Sequence, residues 1–172
     1  MAFDAPYDVA AIRGQFPILA REVHGKPLIY LDSAASAQKP DAVLDAMMGL
    51  ARTSYANVHR GLHTLANETT EAYEKARETV ARFINAERDE VVWTKSATEA
   101  VNLVASSFGQ SLNAGDEIVL SEMEHHANIV PWHFLRERKG VVLKFIPVLD
   151  DGRLDMEAYK DLLSEKTKMV AV

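Results

Sequence analysis

Three short polar segments carry residue types that could do chemistry, and each directly follows an apolar stretch. They are Asp32-Ser33-Ala34-Ala35-Ser36, Lys95-Ser96-Ala97-Thr98-Glu99, and the segment from Ser121 to Asn128 with its paired histidines. If the apolar stretches are parallel strands, the polar segments follow their carboxyl ends, where open α/β sheets bind ligands. The spacing therefore predicts a ligand site built from loops at one edge of a sheet.

The middle segment has the pattern of a helix start. Ser96 and Glu99 are spaced as a capping box, in which the Ser96 hydroxyl accepts the Glu99 amide and the Glu99 carboxylate returns to the Ser96 amide. The amides of Ala97 and Thr98 then stay free at the positive end of the helix and, with the Thr98 hydroxyl, could hold a phosphate. The alternative is an ordinary capped helix whose first amides are hydrated, since most capping boxes bind nothing.

Histidines suggest two further kinds of site. His125 and His126 are adjacent, so on a regular element they cannot face the same way, and one of them could point into a site. His59 and His63 lie four residues apart, which on a helix would give possible zinc geometry. No H-E-x-x-H motif accompanies that pair, so a metal is not expected, and each ring could equally serve a structural hydrogen bond.

The elements that must position these residues follow from apolar periodicity. Helices are predicted at residues 8–16, 40–50, 67–85, 97–108, 132–138 and 156–163, with a loop at 57–63. Strands are predicted at residues 28–31, 91–94, 117–120, 141–148 and 169–172. Alternation of short apolar strands with helices predicts βαβ units, hence an α/β fold with a mostly parallel sheet covered by helices.

Composition excludes several function classes. The 172 residues carry a net charge of −6 at pH 7 and no Lys/Arg cluster, which argues against nucleic acid or an anionic membrane as partner. The start of the chain lacks the basic and apolar regions of a secretory signal, so a cytoplasmic location is expected. There are no cysteines, which excludes disulfides, thiolate metal sites and a cysteine nucleophile within this sequence.

The chain stops at Val172, inside a predicted buried strand. A terminal carboxylate in that position costs desolvation unless it is paired or exposed. We therefore expect the 172 residues to be a portion of a longer protein.

Three motifs closely resemble the SufS-type cysteine desulfurases, which belong to the class V aminotransferase group of pyridoxal-phosphate enzymes. They are LDSAASAQKP (31–40), VHRGLHTL (58–65) and MEHHANIVPW (123–132), while TEAVNLV (98–104) is shared more widely across class V. The likeness runs from about residue 12 to the end. It implies the pyridoxal-phosphate transferase fold (fold type I), with residues 67–172 as the first part of the cofactor-binding large domain. Residues 1–66 would contribute to the substrate entrance and to small-domain packing.

The resemblance also implies roles for six residues. Ala97 and Thr98 fall where the family binds the cofactor phosphate, and His125 falls where an imidazole stacks on the pyridine ring. Residues lining the substrate entrance are matched by Ala34, His59 and Arg60, and an arginine there suits a substrate carboxylate. Many relatives have Gly at the position of Ser96 and Thr at that of Ala97, so one hydroxyl is absent here.

The resemblance places four functional residues of the family beyond Val172: the Schiff-base lysine, the aspartate that pairs with the pyridinium nitrogen, the nucleophilic cysteine and the carboxylate-binding arginine. Lys95, Lys139 and Lys144 do not sit in the family's lysine motif. No catalytic residue is therefore expected in this chain, and residues 1–172 alone are expected to be inactive.

The implied activity of the whole protein is removal of sulfur from L-cysteine, giving L-alanine and an enzyme persulfide for iron–sulfur cluster assembly. The implied partners are pyridoxal 5′-phosphate as cofactor, a sulfur acceptor of the SufE or SufU type, and a second copy in a homodimer. Three alternatives stay open: a truncated non-catalytic homologue that acts as a dimerisation partner, a selenocysteine lyase or other class V enzyme, and a metal-dependent hydrolase using the histidines.

Overall fold

The computed structural model describes residues 7–172, and the chain divides into two compact units, one ending at Val91 and the other running from Val92 to Val172. The first unit holds helices α1 (Val9–Arg13), α2 (Asp41–Thr53) and α3 (Thr64–Phe83), and a small antiparallel hairpin of β1 (Glu22–Val23) and β2 (Lys26–Pro27). The second unit holds α4 (Ala97–Ser107), β3 (Glu117–Ser121), α5 (Val130–Lys139), β4 (Val142–Ile146), α6 (Met156–Leu162) and β5 (Thr167–Ala171). Short 3₁₀ turns connect these elements at Pro17–Ala20, Arg88–Glu90, Phe108–Ser111 and His126–Asn128.

Helix α3 is the longest element of the first unit, and its start is set by side chains. The His63 ring accepts the amide of Ala66 at 3.4 Å, which satisfies one of the free donors of the first turn. Ala66, Thr69 and Ala81 are its buried residues, and the Thr69 hydroxyl donates to the carbonyl of Ser54 just after α2. The predicted helix at 67–85 is confirmed, with its start three residues earlier.

The second unit is a three-stranded parallel sheet in the order β4-β3-β5. The chain passes from β3 through α5 to β4 on one side, then through α6 to β5 on the other side of β3. Strand β3 is therefore central, and Ile118, Val119, Leu120 and Ser121 are fully buried. The predicted α/β class with a parallel sheet is confirmed.

The core of this unit packs α4 and α5 against the sheet. It joins one strand face to both helices through Ala105, Leu112, Ile118, Leu120, Trp132, Leu135 and Val141. Gly140 ends α5 in the left-handed conformation (φ 73°), which a residue without a Cβ adopts at low cost. The helix and the chain reversal after it thus follow from local sequence.

Two predicted strands are absent from the described residues. Residues 28–31 and 91–94 belong to no sheet of the described chain, although the Leu28 amide donates to the carbonyl of Arg21 at 3.0 Å. The exposed fractions of Ile29 and Leu31 are 81% and 91%, and Val92 is also exposed. An apolar run indicates that a segment is to be covered, but a strand also requires a ladder partner, and the prediction for these two segments was wrong for that reason.

Candidate functional site

The start of α4 presents free hydrogen-bond donors. Ser96 is its N-cap, and the Ser96 hydroxyl accepts the Glu99 amide at 3.2 Å. Among residues 7–172, no group accepts a hydrogen bond from the amides of Ala97 and Thr98 or from the Thr98 hydroxyl. These three donors lie at the positive end of the helix, so an anion there would be favoured.

The capping box differs from the predicted one in its second hydrogen bond. The Glu99 carboxylate accepts the amide of Lys95 at 2.5 Å, one residue before the expected donor, Ser96. Ser96 is fully extended (φ −166°, ψ 164°), and successive amides of an extended segment point in opposite directions. The carboxylate therefore reaches the Lys95 amide and ties down the loop that leads into α4.

His125 lies in the loop that leaves the carboxyl end of β3, and its ring is exposed. The ring Nδ1 accepts the amide of Ala127 at 3.0 Å, so in the neutral ring the proton is on Nε2. His126 turns away, with its ring edge-on to that of His125 at 6.4 Å between centroids. The two adjacent histidines thus face different directions, as the sequence predicts.

Helix α4 contacts the 3₁₀ turn His126–Asn128 that follows His125. The helix that carries the free donors and the loop that carries His125 are therefore in contact within one unit, and the His125 loop follows the carboxyl end of β3, where α/β proteins bind ligands. A phosphate-bearing aromatic group fits this chemistry, since it needs donors for the phosphate and a flat ring to cover its face.

A polar network behind His125 was missed in the sequence analysis. The Glu124 carboxylate accepts the Ser121 hydroxyl on one oxygen and the Asn128 side-chain amide, at 2.9 Å, on the other. The indole of Trp132 donates to the Asn128 oxygen at 3.1 Å. Glu124, Asn128 and Trp132 are spaced four apart, the spacing of neighbours on a helical segment, and this signal could have revealed the network.

His59 is the most constrained of the residues predicted at the substrate entrance. Its backbone is left-handed (φ 62°), and its amide donates to the Thr70 hydroxyl of α3 at 2.9 Å. The ring Nε2 lies 2.6 Å from a carboxylate oxygen of Glu74, and the ring is edge-on to Tyr73. His63 instead caps α3, so the two histidines do not share a helix face.

Glu74 joins three cationic or titratable side chains in the first unit. Its second carboxylate oxygen lies 2.8 Å from an Arg88 nitrogen and 3.5 Å from the Arg77 Nε. Burial acts to raise the pKa of the Glu74 carboxyl, but the hydrogen bond with His59 and the charges of Arg88 and Arg77 outweigh it. The pKa therefore lies below its ordinary value of 4.5, and the carboxylate stays charged at neutral pH.

Arg60 and Ala34 are both exposed. Arg60 has no ion pair within the described part of the chain, so its guanidinium is available to a carboxylate. Ala34 lies in a turn at which the Tyr30 hydroxyl donates to the carbonyl of Ser36 at 2.6 Å and lies 3.0 Å from that of Asp32. That turn is preorganised by its own side chains.

Residues 7–172 contain neither a metal-ligand cluster nor a membrane-spanning helix. No three His, Cys, Asp or Glu side chains of this part of the chain gather as they would around a metal ion. None of its helices has both the length and the apolar character needed to cross a membrane.

Comparison with known proteins identifies the class to which this fold and site belong. Residues 29–172 match the aminotransferase class-V family, and the chain belongs to that family. It is 51% identical over 168 residues to a cysteine desulfurase of Salmonella newport, covering 96% of this chain and 41% of that protein. The chain thus spans about two fifths of the length of the curated relatives it matches.

Solved structures agree with this assignment. The apo cysteine desulfurase of Thermococcus onnurineus is 34% identical, with a TM-score of 0.86 over 96% of this chain and 40% of that one. The Escherichia coli cysteine desulfurase CsdA is 35% identical, with a TM-score of 0.77 over 96% of this chain and 41% of that one. The fold is therefore that of the pyridoxal-phosphate-dependent cysteine desulfurases, and the predicted fold type is confirmed.

Proposed function

We propose that this chain is the cofactor-binding portion of a pyridoxal-phosphate-dependent cysteine desulfurase of the SufS type. The observation that carries the proposal is the set of three donors at the start of α4 that have no partner among residues 7–172, on a helix that contacts the turn directly after His125. The relatives named above are cysteine desulfurases, which supports L-cysteine as the substrate of the whole protein.

Each residue of the second unit has a separate task in this proposal. The amides of Ala97 and Thr98 and the Thr98 hydroxyl hold the cofactor phosphate, and the α4 dipole favours its negative charge. His125 covers the pyridine ring and keeps it flat. When bound, pyridoxal phosphate supplies an electron-withdrawing ring that stabilises negative charge at the substrate's α carbon.

The residues of the first unit act on the substrate in this proposal. Ala34, His59 and Arg60 line the substrate entrance, where the Arg60 guanidinium suits the carboxylate of L-cysteine, while the family's carboxylate-binding arginine is expected beyond Val172. The division of roles between residues 1–66 and 67–172 stays a prediction. So do the homodimer, a SufE- or SufU-type sulfur acceptor, delivery of sulfur to iron–sulfur cluster assembly and the cytoplasmic location.

A comparison of two ligands tests the phosphate site. Pyridoxal phosphate and pyridoxal differ only in the phosphate, so binding of both to the full chain isolates its contribution. Thr98→Val removes one donor to a charged group, and we expect it to weaken pyridoxal phosphate about tenfold while leaving pyridoxal unchanged. Equilibrium dialysis measures both affinities.

Thr79→Val is the matched control, because Thr79 is exposed and, among residues 7–172, its hydroxyl contacts only its own helix: it donates to the Lys75 carbonyl at 2.9 Å and lies 3.5 Å from an Arg82 nitrogen. It should leave both affinities at their original values. Equal binding of the two ligands by the original chain would exclude a phosphate site at α4.

A further inference from the structure

The loop from Glu122 to Asn128 is attached to both strands that flank β3. On the β4 side, the Glu122 amide donates to the carbonyl of Ile146 at 3.1 Å, and the Glu122 carboxylate accepts the Val148 amide at 3.3 Å. On the β5 side, the Asn128 side-chain amide donates to the carbonyl of Ala171 at 3.2 Å. The loop that carries His125 is thus fixed to the sheet at both of its ends.

The polar network beneath this loop is satisfied on every side. Both Glu124 carboxylate oxygens accept hydrogen bonds, and the Asn128 amide group donates to Glu124 and Ala171 while its oxygen accepts from Trp132. The exposed fractions of Ser121 and Trp132 are 0% and 2%. Because buried polar groups are costly to leave unpaired, the network specifies one loop conformation.

His125 itself has little to hold it. Its ring is exposed, and its only hydrogen bond in the described part of the chain is the local one from the Ala127 amide. The position of the ring therefore depends on the backbone at residues 125–127, which lies between Glu124 and Asn128.

We propose that Glu124 and Asn128 are positioning residues that hold the His125 ring in place through their mutual hydrogen bond and the tie to Ala171. The proposal rests on the proposed function, in which the His125 ring covers the cofactor. It accounts for the Glu, Asn and Trp of the MEHHANIVPW segment, to which the sequence analysis assigned no role.

Asn128→Asp is the sharpest test, because it changes no shape. The new carboxylate keeps an oxygen for the Trp132 indole but puts a second oxygen against the Glu124 carboxylate and the Ala171 carbonyl, where a donor was. In ¹⁵N-histidine NMR of the full chain, we expect His125 to change from the Nε2–H tautomer to a mixture. Amide hydrogen exchange at Ala127 should rise about tenfold or more, while exchange at Ile118–Leu120 stays the same.

A reversed pair separates positioning from a general loss of structure. In the double variant Glu124→Gln/Asn128→Asp, the Gln amide can donate to the Asp carboxylate, so the central hydrogen bond returns with its direction reversed. We expect it to restore much of the Nε2–H tautomer and of the slow Ala127 exchange. Asn67→Asp, at an exposed position of α3, is the matched control for the added charge and should change neither signal.

Ser121→Ala covers the case in which Asn128→Asp unfolds the sheet. It removes one hydrogen bond to Glu124, and a several-fold rise in Ala127 exchange is expected. The proposal is overturned if the folded variants, Ser121→Ala included, leave the His125 tautomer and Ala127 exchange as in the original chain.

Pyridoxal phosphate binding is measured separately on the same proteins. If the original chain does not bind it, the proposed function fails, whereas the NMR and exchange results still decide whether the network positions His125. If the original chain binds it, Asn128→Asp should weaken binding several-fold and the reversed pair should restore part of the loss.

Discussion

Glu74 makes the stability of the first unit depend on pH. Its folded pKa lies below the ordinary value of 4.5, because His59, Arg88 and Arg77 favour the charged carboxylate. A group of this kind stabilises the folded chain at pH values above its unfolded pKa. As the pH falls toward the folded pKa, the unfolded chain binds the proton first and that stability is lost.

We therefore expect Glu74→Gln to lower the urea midpoint at about pH 6, where the carboxylate is charged in both states. The difference between the original chain and the variant should narrow as the pH falls below 4.5, the ordinary value for this carboxyl. Urea unfolding followed by circular dichroism across that range measures both midpoints. Glu78→Gln changes an exposed position on the same helix, and its plot of urea midpoint against pH should run parallel to that of the original chain. If the plot for Glu74→Gln also ran parallel to that of the original chain, the ion pairs of Glu74 would not be the source of the pH-dependent stability.

The contributions of His125 and Thr98 to cofactor binding should be distinguishable by comparing pyridoxal phosphate with pyridoxal. The His125 ring contacts the pyridine face in the proposed function, and that face is common to pyridoxal phosphate and pyridoxal. His125→Ala is therefore expected to weaken both ligands by a similar several-fold factor, of the size of an aromatic contact of about 1 kcal/mol. Thr98→Val should affect only the phosphorylated ligand. Equilibrium dialysis with both ligands checks the contrast, and a His125→Ala loss confined to pyridoxal phosphate would show that the ring serves the phosphate instead.

At the scale of elements, Gly109 lies in the 3₁₀ turn after α4, where its backbone comes close to Leu135 of α5. This close approach favours a residue without a side chain. A Cβ at Gly109 would lie 2.6 Å from a Leu135 methyl carbon, so the buried Leu135 side chain would have to move. Gly109→Ala should therefore destabilise the second unit by about 1–3 kcal/mol through overpacking. Gly49 of α2 is the matched control, because a Cβ there meets nothing within 4 Å.

Gly49→Ala should stabilise α2 by up to about 1 kcal/mol, since alanine is the better helix former. Urea unfolding measures both variants against the original chain. A Gly109→Ala protein as stable as the original would mean that Leu135 moves aside without cost.

The sequence predicts the elements well where a single segment specifies them. The six helices α1–α6 and the strands β3, β4 and β5 lie where periodicity and turn residues indicate, with bounds shifted by a few residues. The predictions of strands at 28–31 and 91–94 were wrong because a strand needs a neighbouring strand to pair with, and the sequence of the segment itself does not specify that neighbour.

The residues of the candidate site likewise fall into two groups, those that the local sequence specifies and those that only the three-dimensional structure brings together. The free amides at Ala97 and Thr98 follow from the local rules of helix starts. The contact of Glu74 with His59 and Arg88, and the tie from Asn128 to Ala171, join residues far apart in sequence. Periodicity in a single sequence carries no information on such long-range contacts, so only the structure could reveal them.

At the scale of the whole molecule, Lys139 at the end of α5 and Lys144 in β4 already make hydrogen bonds within the second unit. Lys139 donates to the carbonyl of Gln110, and Lys144 pairs with Glu117 at 2.7 Å and donates to the carbonyl of Leu162 at 2.9 Å. The pKa of Glu117 is lowered by its hydrogen bonds from Lys144 and Ser164, which keeps this pair charged. Both amines thus stabilise the sheet and its helices through these contacts.

The absence of cysteine among the 172 residues sets a limit on what this chain can do by itself. Transfer of sulfur to an enzyme persulfide requires a thiolate, and no side chain of this sequence supplies one. We therefore expect the 172-residue chain, supplied with pyridoxal phosphate and L-cysteine, to release no alanine and to gain no sulfur. Alanine is measured by amino-acid analysis and bound sulfur by intact-protein mass spectrometry, with a full-length cysteine desulfurase such as CsdA as the positive control. Alanine release together with a protein-bound sulfur adduct would mean that another group of this chain accepts the sulfur, and the assignment of its residues to cofactor and substrate binding alone would be wrong.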